Sequence, residues 1–259
     1  NGGLAAVHFA FFVTVLAVGD MWLAAPIYLV QPEAVVSGAD VRVQPGAAQP
    51  YAHLPLTLLV AAFSLVTSVA HGLVLLPRYR ERVYFYGIER AVCPARWGEY
   101  FVTATIMFVL LHYMSGTTEL QMILGPALLM AATMTFGLLS ELLNEPDADA
   151  WPAKPWAERY AAQIAGTFTY LGAWGLALLP VLSLLGNKNT PSFVVVIVVS
   201  QVVLFSTFWA VPLVTLNLAP KHYWMGEVAY CILSLVSKGV LTVLVTANVL
   251  WRSSYEILS

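Results

Sequence analysis

Long continuous runs of apolar residues, separated by short polar stretches, dominate the chain. A bilayer core of about 30 Å needs roughly 20 apolar residues per helix, because no backbone amide can stay unpaired in hydrocarbon. Seven runs have that character, so the pattern predicts an all-α bundle of seven transmembrane helices in a single domain over residues 1–259. The predicted helices are residues 4–28, 53–76, 97–115, 120–143, 160–185, 192–218 and 228–251.

A transmembrane β-barrel is the competing architecture for a membrane chain. A barrel requires segments of about ten residues in which apolar and polar positions alternate, whereas these runs are continuous, so helices are favoured. Alternation does appear in the connection after the first run, QPEAVVSGADVRVQPGAAQP, where VRVQ lies between glycine and proline. That piece predicts a short β-hairpin in the first extracellular loop. The first run is longer than the apolar core of a signal peptide and is predicted to be a retained helix.

Composition and charge support the membrane assignment and suggest an orientation. Only 10% of residues are charged, against about 25% in soluble domains. Lysine and arginine stay preferentially on the cytoplasmic side, and eight of the twelve flank the connections after the second, fourth and sixth helices. We therefore predict a multi-pass protein in contact with lipid, with its amino terminus in the cytoplasm and its carboxy terminus outside. The net charge of −2 says little about partners, and no nucleic-acid partner is predicted.

The last predicted span holds a single charged side chain, Lys238, near its middle. An ionisable group at that depth costs several kcal/mol unless it meets water or a partner. A neutral lysine amine condenses with carbonyl compounds to form a Schiff base. Covalent attachment of such a compound is one interpretation of Lys238, and a buried ion pair that fixes helix packing is the other.

Glu99, in the third predicted span, is the acid best placed to balance a charge on Lys238. Glu141 lies nearer a helix end, and Asp20 lies nearer the outer edge. Ser234 precedes Lys238 by four residues, so both lie on one helix face and the hydroxyl can contact the amine region. These residues predict a charged pair with a hydrogen-bonding neighbour inside the membrane.

Two histidines, His8 and His71, lie in the first and second predicted spans. A lone intramembrane histidine is more often a hydrogen-bonding group than a proton carrier. No histidine or cysteine arrangement in the sequence has metal-ligand spacing, and GxSxG and phosphate-loop motifs are missing. Neither an enzyme nor a metal site is predicted. Cys93 and Cys231 are too far apart in the predicted layout for a structural disulfide.

Three segments together resemble the heliorhodopsins, which are seven-helix retinal proteins inverted in the membrane relative to type-1 microbial rhodopsins. They are GEVAYCILSLVSKGVL around Lys238, ARWGEYFVTATIM around Glu99 and TFGLLSELL around Glu141. The resemblance implies all-trans retinal as the cofactor, bound to Lys238 as a protonated Schiff base. It implies Glu99 as the counterion and Ser234 as a hydrogen-bonding neighbour of the imine.

The resemblance also implies roles for residues outside the charged pair. His8 and His71 would belong to a polar, water-containing cavity beside Glu99 and could accept a proton. Glu141 would be a polar residue on the cytoplasmic side of the fourth helix. A homodimer is implied as well, and small residues on the fourth helix would permit close helix contact; these are Gly125, Ala127, Ala131 and Ala132.

A site for retinal should be a narrow apolar slot with aromatic and sulfur-containing walls. Phe205 and Trp209, four residues apart on the sixth predicted helix, are the best candidates, although ordinary helix packing explains each single residue as well. The predicted pocket consists of Tyr100, Thr103, Met107, Met134, Gly137, Trp174, Phe205, Phe208 and Trp209. Trp97, near a predicted helix end, is instead assigned as an interfacial anchor.

The favoured function is light sensing, in which photoisomerisation drives a signalling change in helix arrangement. A type-1 pump would be expected to carry a second carboxylate on the third helix, where this chain has Met107, Phe108 and Leu110. A light-gated proton channel through Glu99 and the histidines is the main alternative. A seven-helix receptor or transporter without a chromophore is a further one. The acidic connection NEPDADAWPAKPWAER is a candidate surface for a signalling partner, or a solvated linker.

Overall fold

The fold is a bundle of long helices with one antiparallel β-hairpin at one end. The computed structural model describes residues 1–37, 40–145, 154–185, 190–218 and 220–250. Within these ranges the predicted helical bundle and the hairpin are confirmed. We number the helices of 17 or more residues α1 to α7 in chain order. They are Gly2–Val18, Leu56–Leu73, Pro94–Met114, Leu120–Leu143, Trp156–Leu185, Ser192–Thr215 and Tyr223–Val245.

Length and hydropathy suit this bundle to a membrane. Five of the helices, α2, α4, α5, α6 and α7, are long and apolar enough to cross a bilayer. Helix α1 is also apolar but has only 17 residues. Helix α3 has 21 residues and carries Arg96 and Glu99 in its first turns. Neighbouring helices pack in a closed ring, since each contacts the next in the chain and α7 returns to contact α1.

The predicted boundaries of the first two helices are wrong, because the hairpin is much longer than VRVQ. Strand β1 runs Ala24–Ser37 and pairs antiparallel with β2, Asp40–Pro55. The apolar stretch at 24–28, predicted as the end of the first helix, is therefore strand, with Ala25 and Ile27 buried. A short apolar run does not distinguish a buried strand from a helix end.

The remaining helix boundaries differ by a few residues. Helix α4 begins and ends at the predicted residues, 120 and 143. Helix α3 begins earlier than predicted, with Pro94 in its first turn, where proline is favoured because its missing amide would be unpaired anyway. Helices α5 and α7 also extend beyond the prediction at their starts, and α6 ends at Thr215. The hairpin defines one end of the bundle, which we call the hairpin end.

The opposite end of the bundle carries the connection between α2 and α3. That connection folds into three short helical segments, Pro77–Tyr79, Arg80–Phe85 and Tyr86–Glu89. Gly87 lies against the carbonyl oxygen of Val92, where a Cβ atom would stand 2.5 Å away, so glycine is required there. We call this the Arg96 end, after the buried arginine that begins α3. Part of the predicted acidic contact surface, residues 146–153, lies outside the described residues.

Candidate functional site

A buried ion pair joins α7 to α3 in the interior of the bundle. The Nζ atom of Lys238 lies 2.5 Å from Oε1 of Glu99. The Lys238 side chain is 3% exposed and that of Glu99 is 7% exposed. Nζ also donates a hydrogen bond of 2.9 Å to the hydroxyl of Ser234, one turn earlier on α7. The structure thus brings together the three residues that the sequence singled out.

Two threonines complete the surroundings of the Glu99 carboxylate. Thr67 of α2 donates a hydrogen bond of 2.5 Å to Oε1, and the hydroxyl of Thr103 lies 3.1 Å from the same atom. Sequence analysis missed Thr67, although a signal was present. Thr67 and Ser68 lie three and four residues after Ser64, and His71 lies three and four residues after Ser68 and Thr67, which places these residues on one face of α2.

The two predicted histidines are neighbours on α1 and α2. The rings of His8 and His71 are stacked with their centroids 6.2 Å apart. His8 is fully buried, and neither of its ring nitrogens has a hydrogen-bond partner among the described residues. His71 is half-buried and contacts the side chain of Asn1 through Nδ1 at 2.8 Å. His71 and Glu99 line one polar cavity, together with Arg96, whereas His8 is not among the residues that line it.

An apolar slot begins at Lys238 and reaches α5. Its walls enclose about 670 Å³ of space that no atom occupies, including its openings. The lining residues are Trp97, Tyr100, Thr103, Ala104, Met107, Thr133, Met134, Phe136, Gly137, Gln163, Gly166, Tyr170, Phe205, Phe208, Trp209, Pro212, Tyr230, Ser237 and Lys238. Eight of the nine predicted pocket residues are among them. Trp174 is not, and it packs behind the slot with its ring centroid 4.9 Å from that of Phe108.

Trp97 has a different role from that predicted, and Gly137 lines the slot beside it. Trp97 is only 6% exposed and forms part of the slot wall, so it is not an interfacial anchor. A Cβ atom at Gly137 would overlap the indole ring of Trp97. Gly137 therefore makes room for a side chain of the protein. The error arose because α3 begins three residues before the predicted start, which moves Trp97 inside the helix.

A second buried charge cluster lies at the Arg96 end, one turn from Glu99 on α3. Arg96 forms ion pairs with Glu141 of α4 and Glu227 of α7, and all three side chains are less than 10% exposed. The second carboxylate oxygen of Glu141 accepts a hydrogen bond of 3.0 Å from the backbone amide of Cys93. Sequence analysis counted Arg96 as a loop residue and overlooked Glu227, because only the helix packing brings them together.

The ion pair of Lys238 and Glu99 separates two different environments. Lys238 lines the apolar slot, and Glu99 lines the polar cavity that continues to Arg96 and Glu227. Tyr100 and Tyr230 lie between the two spaces and line both. This arrangement can hold a cation at Lys238 with an apolar body on one side and hydrogen-bonding groups on the other.

A family model describing heliorhodopsins matches residues 1–250 of the chain. The chain belongs to the heliorhodopsin family. No curated protein matches this heliorhodopsin at a significant level. As a heliorhodopsin it is an integral membrane protein that binds retinal and senses light. The family is one of photoreceptors rather than conventional enzymes.

The slot of this heliorhodopsin suits retinal in its chemistry. Its walls carry the aromatic rings of Tyr100, Phe205, Phe208 and Trp209 and the sulfur of Met134, which are apolar and polarisable. A primary amine stands at one end of this slot, as attachment of an aldehyde requires. Retinal, when bound, supplies absorption of visible light and photoisomerisation, and the protein supplies the fixed charges and the shape of the site.

Proposed function

We propose that this heliorhodopsin is a light sensor in which all-trans retinal is bound to Lys238 as a protonated Schiff base, with Glu99 as counterion. The observation that carries the proposal is the contact of 2.5 Å between Lys238 Nζ and Glu99 Oε1 beside the apolar slot. A buried ion pair that only fixed helix packing would not need an aromatic slot at the amine. The slot therefore favours attachment over a purely structural pair.

The attachment step is a condensation of amine and aldehyde. Nζ of Lys238 attacks the aldehyde carbon, a C=N bond forms, and the aldehyde oxygen leaves as water. Of the three protons on the Lys238 ammonium, two leave in the water. The third, held by Glu99 while the neutral amine attacks, returns to the imine nitrogen, and Glu99 then balances the positive charge. Ser234 lies 2.9 Å from Nζ of the free lysine and would be a hydrogen-bonding neighbour of the imine. Thr67 and Thr103 hold the Glu99 carboxylate in position through hydroxyl contacts of 2.5 and 3.1 Å to Oε1, and hydrogen bonds to a charged group contribute about 1.5–3 kcal/mol each.

The sensory role follows from the groups that can accept the imine proton and from the loss of positive charge at Lys238. The proton acceptors closest to the site are Glu99 itself and the stacked pair of His8 and His71. Loss of the positive charge at Lys238 would remove the attraction that holds α7 to α3. The helices would then settle in a new arrangement, which a cytoplasmic or membrane partner could recognise. Toward the hairpin end of α3, Met107, Phe108 and Leu110 are buried apolar residues in the region where a pump would be expected to carry a carboxylate, which disfavours a pump.

A light-gated proton channel is the second candidate function. The stacked histidines and the polar cavity from Glu99 to Arg96 favour it, because buried acids and histidines form proton relays in membranes. Voltage-clamped cells under illumination distinguish the two functions. Light-induced currents that reverse with the proton gradient support the channel. A coloured, photoactive protein that gives no current supports the sensor.

The orientation and the dimer remain proposals. A cytoplasmic Arg96 end agrees with the basic residues Arg78, Arg80 and Arg82 in the connection that it carries. The small residues of α4 give the dimer less support than expected. Ala127 and Ala131 are 1% and 4% exposed within a single bundle, so they are not available to a second copy. Cross-linking in membranes of the intact protein tests the homodimer directly.

Reconstitution with all-trans retinal tests the proposed function. We expect the purified protein to gain a visible absorption band when retinal is added, and the band to decay and recover after a light flash. Lys238→Ala should give no band. Lys221→Ala, which removes a lysine outside the long helices, serves as the control and should keep the colour. A visible band of normal intensity in Lys238→Ala would overturn the proposal.

A further inference from the structure

A fully buried glutamine on α6 contacts the backbone of the helix that carries Lys238. Gln201 is 0% exposed. Its Nε2 atom donates a hydrogen bond of 3.2 Å to the carbonyl oxygen of Ser237, the residue before Lys238. A carboxamide is costly in an apolar interior unless its groups are hydrogen-bonded. The position of Gln201 therefore needs an explanation.

Stability alone does not explain this hydrogen bond. Ser237 lies inside α7, so its carbonyl oxygen already accepts the helical hydrogen bond from the amide four residues later. Gln201 adds a second donor to a carbonyl that needs none. Its own Oε1 atom is buried without a hydrogen-bond partner among the described residues. An apolar residue of equal size would avoid that unsatisfied oxygen. The glutamine thus connects two helices at a cost to packing.

The same helix surface continues from Gln201 to the slot. Phe205 lies one turn later on α6, and its ring centroid is 5.5 Å from that of Phe108 and 5.7 Å from that of Trp174. Phe208 and Trp209 follow and line the slot. A displacement of α6 at Gln201 would therefore move aromatic side chains that surround the chromophore site.

Helix α6 has a flexible point and a defined contact beyond the slot. Pro212 lies inside the helix and cannot donate the usual backbone hydrogen bond, which makes bending easier there. Just after the helix, Asn217 accepts a hydrogen bond of 3.0 Å from Arg159 of α5. Movement of α6 would therefore change the contact between Asn217 and Arg159 at the Arg96 end of the bundle.

We propose that Gln201 is a positioning residue that ties α6 to the backbone next to Lys238 and transmits light-driven displacement of α7 to α6. The inference rests on the proposed attachment of retinal to Lys238. Isomerisation of a chromophore fixed to Lys238 pulls on the backbone at 237–238. Among the described residues, the hydrogen bond from Gln201 to Ser237 is the polar contact that joins α6 to that backbone, and it transfers the displacement.

The test combines isotope labelling with one substitution. Light-minus-dark infrared spectra of the intact pigment, prepared with and without isotope-labelled glutamine, report any glutamine carboxamide that changes its hydrogen bonding. We expect one label-sensitive band, and we expect Gln201→Met to abolish it. Methionine keeps the length of the side chain and removes the donor. Gln121→Met, an exposed glutamine near the hairpin, is the matched control and should retain the band.

The kinetic readout separates this role from a purely structural one. We expect Gln201→Met to keep the dark absorption band and to change the decay rate of a late photointermediate by about threefold to about twentyfold, the range that interhelical hydrogen bonds in membranes produce. Gln201→Asn, with a shorter carboxamide, should also change it. If Gln201→Met yields no pigment, Gln201→Glu is measured in its place and should lose the labelled band.

Two results overturn the inference and leave the proposed function standing. One is a coloured Gln201→Met whose photocycle equals that of the unmodified protein. The other is an unmodified pigment without any label-sensitive glutamine band. A Lys238→Ala variant that keeps its colour would instead contradict the proposed function, because retinal would then not be attached at Lys238.

Discussion

Replacing Glu99 with glutamine removes one negative charge, keeps the size of the side chain and exchanges one acceptor oxygen for a donor NH2 group. In the structure, Oε1 of Glu99 lies 2.5 Å from Nζ of Lys238. Two unit charges at that separation attract each other by about 7 kcal/mol at an effective dielectric constant of about 20. The dipole of a glutamine replaces only a small part of this attraction, so Glu99→Gln should strongly perturb a cation at Lys238.

Colour reports this perturbation directly. A counterion stabilises the positive charge near the imine nitrogen in the ground state more than in the excited state, where the charge spreads along the polyene. We therefore expect Glu99→Gln to absorb at longer wavelength than the unmodified pigment at neutral pH. Acid should shift the unmodified pigment to the red as Glu99 takes up a proton. The variant should lack that acid transition.

The assay is a pH titration of the absorption spectrum of purified pigment. Glu119→Gln is the matched control, because Glu119 precedes α4 at the hairpin end, whereas the carboxylate paired with Lys238 is that of Glu99. It should reproduce the unmodified titration. A Glu99→Gln pigment that has both the unmodified neutral spectrum and the unmodified acid transition would refute the assignment of the counterion.

Three further substitutions test the remaining parts of the site. Ser234→Ala removes the hydrogen bond of 2.9 Å to Lys238 and should shift the absorption maximum by less than Glu99→Gln does. Gly137→Val places a side chain where Trp97 lies and should reduce retinal binding severely, as measured by pigment yield per protein. Arg96→Met leaves Glu141 and Glu227 buried without their cation and should destabilise the protein by about 3–5 kcal/mol in thermal or denaturant unfolding.

Each of these substitutions has a control in the same chain. Ser200→Ala removes a hydroxyl that bonds within its own helix and should leave the colour unchanged. Gly125→Ala adds a Cβ that meets nothing within 4 Å and should keep normal pigment yield. Arg90→Met breaks an exposed ion pair with Glu145, which should matter little because exposed pairs are weak. If a variant and its control changed equally in absorption maximum, pigment yield or stability, the reason given for that residue would be contradicted.

The charged centre of the site was predictable because membrane interiors make charge rare. Lys238, Glu99 and Ser234 each stood out in apolar surroundings, and helical spacing placed Ser234 beside Lys238. The bounds of α4 were predictable for a related reason, since its apolar run ends at polar residues on both sides. Local signals of this kind need no knowledge of which helices are neighbours.

The missed features depend on contacts between helices or on strand pairing. Arg96 and Glu227 are 131 positions apart in the sequence and meet only after α3 packs near α7. Thr67 reaches Glu99 across the contact of α2 with α3. The hairpin was underestimated because its first residues are apolar and follow the apolar run of α1 after only a short interruption at Gly19 and Asp20. Apolar residues indicate that a segment is buried, but both strands and helices of this chain have buried residues, so hydropathy alone did not distinguish the strand from the end of α1.

Covalent attachment at Lys238 is the central claim, and reduction followed by peptide mass spectrometry tests it most directly. Borohydride reduces the imine of the illuminated pigment to a stable amine, and protease digestion then releases the peptide that contains Lys238. The account predicts that this peptide carries the added mass of a retinyl group on Lys238. A coloured protein whose Lys238 peptide stays unmodified, with the retinyl mass on another residue or on none, would contradict it.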